Sequence, residues 1–302
     1  MRVMGEIVSD ELLEAVDSCI FCSATGLTRS GTLVQDVPPV CVLECSECRA
    51  EMVDQLPKRE FLDKLYTGGN YVGFLDGSER LTSALARRLA AAMIEGCSPS
   101  ATIRILDFGG GSGSLGRAVA AFFSDRGSHC RIAVVDIKST GVGSGIEFFT
   151  PEDFDKCTET FDVILCSAVV EHLRDPGVRL RSLFNRLAEG GWIYVRSPQL
   201  GGLKRVRASW FRWPRHLSDF GPAFWQRFPS IFDWKIDVVW SRASRPETEW
   251  RTKPVSTVVA IALKAPCFLE LGFRRLFRLN VACSYPLVGG WEFLGQKISD
   301  SR

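Results

Sequence analysis

Residues Ile103–Gly113 read IRILDFGGGSG. Ile103, Ile105 and Leu106 make a short apolar run, interrupted once by Arg104, which predicts a buried parallel strand. Asp107 closes the strand. Gly109, Gly110, Gly111 and Gly113 make a tight turn, and Ser114–Phe123 reads as a helix. Together these form a seat for a nucleotide-like ligand: glycines let the backbone approach closely, and the helix start offers free N–H groups. A glycine triplet alone has many chance matches, so the segments around it carry the weight.

Working outward, Arg131–Asp136 (RIAVVD) is a second strand ending in an acid, 23 residues past Gly113. In nucleotide-binding βαβ units an acid there takes the ribose hydroxyls. Gly145–Phe149 is a weak third strand. Phe161–Cys166 is the fourth and runs into Ser167, Glu171 and His172; Trp192–Arg196 is the fifth. A helix over 177–189 presents Leu180, Leu183, Phe184 and Leu187 on one face and stops at Gly190-Gly191. Upstream, Ser78 is placed to cap a helix carrying Leu81, Leu85, Leu89 and Met93. Strands near 232–240 and 256–263 bring the count to seven. Alternating strands and helices predict an α/β fold with a mainly parallel sheet and helices on both faces.

The 46% apolar fraction supports a sizeable core, and the net charge of +2 gives no field pointing to nucleic acid. Eleven cysteines, an odd number, with no secretory leader in the reading of the N-terminus, argue against a disulfide scaffold. No apolar run reaches the ~20 residues of a membrane span. The expectation is a cytoplasmic, reducing-compartment protein.

Cys19-Ile-Phe-Cys22 and Cys45-Ser-Glu-Cys48 are two C-x-x-C knuckles separated by 22 residues. Each knuckle places two thiolates on one turn, and the pair completes a tetrahedron for a structural Zn2+. Cys41 is a spare thiol and an alternative to Cys45 as ligand. The predicted organisation is a zinc-ribbon-like module over 1–56, a linker and helical entry segment over 57–100, a ligand-binding domain over 101–265 and a C-terminal extension over 266–302. Residues 10–18 are read as a short helix, and the zinc module as too small to fold without its metal.

Residues 196–216 hold six basic side chains (Arg196, Lys204, Arg205, Arg207, Arg212, Arg215) and no acid, interleaved with Trp210, Phe211 and Trp213. Arginine forks match phosphate oxygens, so the cluster is a candidate clamp for a phosphorylated substrate. His172 and His216 are two of three histidines, and an imidazole titrates near neutral pH and is a natural base.

With these stretches assembled, residues 70–265 resemble class I S-adenosyl-L-methionine (SAM)-dependent methyltransferases. Asp107-Phe-Gly109-Gly-Gly111-Ser-Gly113 matches the family's D-x-G-x-G-x-G loop, and Asp136 the acid ending its second strand. Phe161 through Glu171-His172-Leu and Pro214-Arg-His216-Leu-Ser-Asp-Phe220 resemble motifs of one subgroup. The twin knuckles ahead of such a domain resemble sugar C-methyltransferases and their relatives in polysaccharide and natural-product pathways. The resemblance implies a seven-stranded Rossmann-like sheet and SAM held by Asp107, Gly109, Gly110, Gly111, Gly113, Asp136 and Ser167 under an aromatic lid, Tyr71. It also implies methyl transfer by in-line displacement to a small molecule, with His172 as base and Glu171 and His216 beside the acceptor. Two alternatives stand beside it: an RNA methyltransferase gripping through the zinc module and the basic stretch, and a non-catalytic scaffold. Near-neutral charge and an acidic knuckle segment argue against RNA.

Overall fold

The fold is given by a computed structural model that describes residues 8–68, 79–93, 102–137, 145–199, 211–244 and 289–298, with isolated helical positions between 255 and 269. The N-terminal part is β-rich. A 3-10 turn at Asp10–Leu12 leads into β1 (Leu13–Ala15), not the helix expected over 10–18. Of these three strand residues only Leu13 is buried, and pairing with β5 (Gln55–Pro57) uses the backbone groups a helix would have used. Between them lie β2 (Leu27–Gln35), β3 (Val40–Cys45) and β4 (Ala50–Val53), an antiparallel meander. Helix α1 (Arg59–Thr67) follows and buries Leu62.

The second part alternates as predicted. Its elements are α2 (Glu79–Met93), β6 (Thr102–Phe108), α3 (Ser114–Ser124), β7 (His129–Val135), β8 (Ile146–Phe149), α4 (Pro151–Lys156), β9 (Phe161–Ser167), α5 (Pro176–Asn185) and β10 (Leu187–Gln199). Then come β11 (Ser218–Phe220), α6 (Pro222–Ile231), β12 (Ile236–Ala243) and β13 (Gly289–Lys297). Seven strands form one sheet in the order β12-β13-β10-β9-β6-β7-β8. The five strands from β10 to β8 in that order run parallel, and β13 is antiparallel to both its neighbours.

Period-two alternation sorts the sheet's side chains into two cores. Ile103, Ile105, Val134 and Leu165 face α2 and α3, meeting Leu89, Met93, Val119 and Phe123. Leu106, Phe108, Val135, Ile164 and Cys166 face the other way, meeting Phe154 of α4, Leu180 and Leu183 of α5, and Phe224 and Phe228 of α6. Helices therefore cover both faces, as expected.

The seventh strand is not where the sequence pattern placed it. The described residues among 256–263 (258, 259, 261 and 262) are helical, and the strand is β13, inside the stretch read as a C-terminal extension. Its pattern is obscured by Gly289, Gly290 and Gly295 and by a central acid, Glu292. That acid is 1% exposed and is held by Arg88 of α2 through two bonds (2.9 and 3.0 Å) and by Arg242 of β12 (2.9 Å). A buried carboxylate is tolerated because both oxygens are met by guanidinium forks.

The N-terminal module is not a separate body. β11 extends its sheet to β11-β4-β3-β2, and Phe211, Trp213 and Leu217 complete a third core with Val40, Val42 and Val53. On the sheet's other side Cys19, Phe21, Cys45 and Cys48 belong to the same core as Leu106 and Ile164. Phe21 meets Phe220 and Phe224 edge-on, with centroids 4.9 and 5.2 Å away. Gly177 lies against the Phe21 backbone, where an added Cβ would sit 2.2 Å from the carbonyl oxygen.

Candidate active site

The strand order reverses between β6 and β9, since β7 and β8 lie to one side of β6 and β9 and β10 to the other. In open α/β sheets ligands bind outside the carboxyl ends of the strands at such a point. Two groups of side chains flank it.

The first is the glycine loop. Gly109, Gly111 and Gly113 have φ of 70°, 55° and 74°, the left-handed region where a Cβ is strained. A Cβ on Gly109 would also lie 2.5 Å from Val169, and one on Gly110 2.5 Å from the Asp107 carboxyl carbon. Asp107 is 2% exposed and accepts the Gly116 N–H at 2.9 Å. Burial, the larger effect, outweighs that bond and pushes its carboxyl up to about 6. Asp136, just past β7, accepts the Gly111 N–H at 2.9 Å. Ser167 ends β9, half-buried, opposite Arg196 of β10. Tyr71 lies outside the described residues, as do Lys204, Arg205, Arg207 and Trp210.

The second group follows β9. Ala168 takes a φ of 56°, turning the chain so that Val169 packs on Gly109 and Val170–His172 forms a 3-10 turn. Glu171 is 1% exposed. Ser197 Oγ donates to its Oε2 at 3.1 Å, while Oε1 has no partner among the described residues. Burial pushes the carboxyl up to about 7. His172 Nδ1 lies 2.8 Å from the Arg215 carbonyl, which only accepts, so Nδ1 carries the hydrogen and Nε2 the lone pair. Tyr66 Oη sits 3.1 Å from the same nitrogen and also donates to the Arg215 carbonyl at 2.9 Å. Nε2 points toward Glu171 Oε1, 3.8 Å away. His216, buried, meets His172 edge-on with centroids 4.8 Å apart. Burial pushes His172 down to about 4 and His216 lower still, so both rings are uncharged at neutral pH. The Leu217 N–H donates to the Glu171 carbonyl at 2.8 Å, joining the two segments that carry these side chains.

The expected cysteines also come together. Cys19, Cys22, Cys45 and Cys48 place their sulfurs within 4.8 Å of one another, with Cys19–Cys48 at 3.5 Å and Cys22–Cys45 at 3.7 Å. Those spacings are far too long for disulfides. They match the edge of a tetrahedron with Zn–S bonds of ~2.3 Å, about 3.8 Å. The four residues fit a closed structural zinc site. The Cys48 thiol directed at Cys19 draws Cys19 toward the thiolate, while Cys48 itself is pushed up.

A methyltransferase-domain family matches residues 78–230, half of the chain. The chain belongs to the class I SAM-dependent methyltransferases. Its curated relatives include the ubiquinone biosynthesis O-methyltransferase of Parvibaculum lavamentivorans, 34% identical over 103 residues, covering 32% of this methyltransferase and 41% of that protein. The protein of the same description from Cereibacter sphaeroides is 28% identical over 163 residues, covering 50% and 62%. This methyltransferase thus spans less than two thirds of the length of these relatives. Similar solved structures include the plantazolicin methyltransferase in complex with a triazolic desmethyl analog and SAH (TM-score 0.48, 14% identity, covering 78% of this chain and 94% of that one). Another is a SAM-dependent methyltransferase from Archaeoglobus fulgidus (TM-score 0.44, 18% identity, covering 80% and 100%). Among the described residues no helix is long and apolar enough to cross a membrane.

The structure thus brings together Glu171, His172 and His216, and separately Asp107, Asp136 and the loop glycines. Sequence reasoning missed Tyr66 and Ser197, which orient the first group. Tyr66 lies 106 residues from its partner, and neither residue sits in a recognisable motif.

Proposed function

We propose that this methyltransferase moves the methyl group of SAM to a hydroxyl oxygen of a small-molecule acceptor bound over Glu171, His172 and His216. The observation that supports it best is the open Nε2 of an uncharged His172, held by the Arg215 carbonyl and facing a buried carboxylate at 3.8 Å, beside the glycine loop. The description of the relatives as O-methyltransferases agrees with an oxygen acceptor.

The acceptor oxygen attacks the methyl carbon, and the carbon–sulfur bond breaks with its electron pair staying on sulfur. The hydroxyl proton goes to His172 Nε2. The imidazolium so formed is balanced by Glu171. A hydroxyl is a weak nucleophile until it loses its proton; a base titrating near the working pH is worth ~10²–10⁴-fold, and a ring that burial holds near 4 supplies the low end of that range. On the cofactor side, Asp136 exchanges its bond to the Gly111 N–H for the ribose hydroxyls of SAM. Gly109, Gly110, Gly111 and Gly113 admit the cofactor, Asp107 braces the loop, and Ser167 contributes a further contact. Zn2+ on the four cysteines is structural.

The acceptor reading extends to a carbohydrate or nucleotide-linked sugar. It follows from the resemblance of the twin-knuckle module to that of sugar C-methyltransferases, and β4 of that module holds β11 and so the segment bearing His216. Calorimetry with SAM, alone and with phenolic and sugar-nucleotide acceptors, tests both readings: SAM binding tightened by one class identifies it, and absence of SAM binding overturns the enzyme reading. His172→Ala lowers turnover at least ~tenfold with SAM affinity unchanged; turnover near wild type removes His172 as base.

A further inference from the structure

Besides the cysteines, one other group of the described residues clusters its ligand atoms: one carboxylate oxygen of Glu171 and one ring nitrogen each of His172 and His216, all within 4.8 Å of one another. We propose that these three residues bind a divalent transition-metal cation that takes the acceptor's hydroxyl oxygen as a further ligand. The proposal rests on the methyl-transfer reading and adds how the acceptor is gripped and ionised.

The donor set comes first. Two imidazoles and one carboxylate suit manganese, iron, cobalt or zinc and leave coordination positions open. Each of two ligands also has the outer partner such a site needs. Ligating histidines donate their second ring N–H to a carbonyl or carboxylate, and ligating carboxylates are themselves hydrogen-bonded. His172 Nδ1 faces the Arg215 carbonyl at 2.8 Å, with Tyr66 Oη beside it. Glu171 Oε2 accepts from Ser197 at 3.1 Å.

The independent observation is Glu171 Oε1. It is fully buried, has no partner among the described residues, and points toward His172 Nε2 at 3.8 Å. Buried polar atoms are nearly always met, and an exception calls for an explanation such as an ion. The scaffold is also stiff where it matters. The Leu217 N–H bond to the Glu171 carbonyl ties the residue after His216 to a ligand residue on the other segment, at 2.8 Å.

Ligand bonds of ~2.1 Å bring donor atoms to about 3 Å from one another, so the side-chain ends must close by an ångström or so. Arg212 and Arg215 lie near enough to disfavour extra positive charge on the two rings. The ion is therefore held by ligand bonds and not by the surrounding field. With it seated, the Nε2 lone pair is a ligand instead of a base. The acceptor hydroxyl binds the ion, its lowered pKa releases the proton to water, and the oxygen takes the methyl group from sulfur. The ion keeps its oxidation state throughout.

Loading the purified protein with Co2+ tests this by absorption. Cobalt on the four thiolates gives intense sulfur-to-metal charge transfer. A second ion on nitrogen and oxygen gives weaker visible bands without it. The expected result is a second Co2+ in wild type, lost in Glu171→Gln and His216→Gln, with the thiolate band retained as the sign of an intact fold. A wild type showing thiolate cobalt alone, or a second ion surviving Glu171→Gln, overturns the proposal. SAM binding is measured by calorimetry on the same samples. If wild type binds SAM but takes up no second ion, the cation fails and His172 stands as base. If no sample binds SAM, with or without an acceptor, the methyl-transfer reading fails, and the acceptor role of the cation with it.

Discussion

The two halves of the site are built in different ways. The loop half is mostly local: Asp107, the glycines, Gly116 and Asp136 come from one β6–α3–β7 unit, and the Gly111–Asp136 and Gly116–Asp107 bonds lie within it, with the Asp136 N–H donating to the Phe149 carbonyl of β8 and Val169 packing on Gly109 from outside. The other half is collected from four separate stretches, with Tyr66 on α1, Glu171 and His172 after β9, Ser197 on β10, and Arg215 and His216 before β11. The first half needs little beyond its own strand and turn. The second needs the N-terminal sheet, because β11 is held by β4 and the Val53 N–H donates to the Leu217 carbonyl. The proposed cofactor seat thus rests mostly on one short stretch of sequence, whereas the proposed acceptor seat depends on how distant segments are docked.

That contrast is most exposed to the loss of the four-cysteine cluster. Cys48→Ser is expected to lower stability by several kcal/mol, a fraction of the ~10–16 kcal/mol with which structural zinc holds small domains. Because Cys19, Cys45, Cys48 and Phe21 share the core of the sheet, unfolding remains one transition by denaturant melting. Two separate transitions would break the claim that the module and the domain are one body.

Asp107→Asn sharpens the local half. The carboxyl titrates at 3.8 when exposed and near 6 in the fold. The native state therefore binds its proton more tightly, and the stability this gives is full below 3.8 and is lost as pH rises through about 6. The shift corresponds to about 3 kcal/mol. Asparagine still accepts from the Gly116 N–H and has no charge to bury. The variant should match wild type at pH 4 and exceed it by up to that amount at pH 8, measured by parallel denaturant melts without SAM. An equal difference at both pH values would refute the burial account.

Gly113→Ala and Gly190→Ala form a matched pair. Both residues have φ of 74°, but a Cβ at Gly113 meets Val134 at 2.7 Å whereas Gly190 faces open space. Each incurs the left-handed penalty of ~1–2 kcal/mol, and only Gly113→Ala should also weaken SAM binding, by about tenfold. Calorimetry showing equal SAM affinity in the two variants would remove the loop as the cofactor seat. The smallest effect is expected for Tyr66→Phe, which loses one hydroxyl from the distant half. A net hydrogen bond is worth ~1 kcal/mol, so turnover should fall about fivefold with SAM affinity unchanged.

How much was legible follows the same division. The strand-turn-helix at 103–123 could be read because each of its requirements (an apolar run, glycines at positive φ, an acid at each strand end) is met by neighbouring residues. The four-cysteine cluster was legible for the same reason, since each knuckle is a single turn. The seventh strand was hidden because β13 buries Glu292 by means of Arg88 and Arg242, and neither partner is local. An apolar stretch at 256–263 fitted the strand pattern better, yet its described residues are helical. Glu171 and His172 were found as a motif. Their orientation was not, because it depends on Tyr66 and on a main-chain carbonyl that leaves no mark in residue type.

The place of β13 also sets a schedule. It lies in space between β10 and β12, but ninety residues after β10 in the chain. At ~5–20 residues per second, a ribosome takes about 5–20 s to make that stretch. β12 is made about half-way through that interval, and for the rest of it β10 and β12 have no common neighbour, each carrying an open row of backbone donors and acceptors along the edge β13 will fill. Arg88 and Arg242 are already made and await the carboxylate that arrives with the strand. In the growing chain, the sheet that bears the site closes last one strand in from its edge.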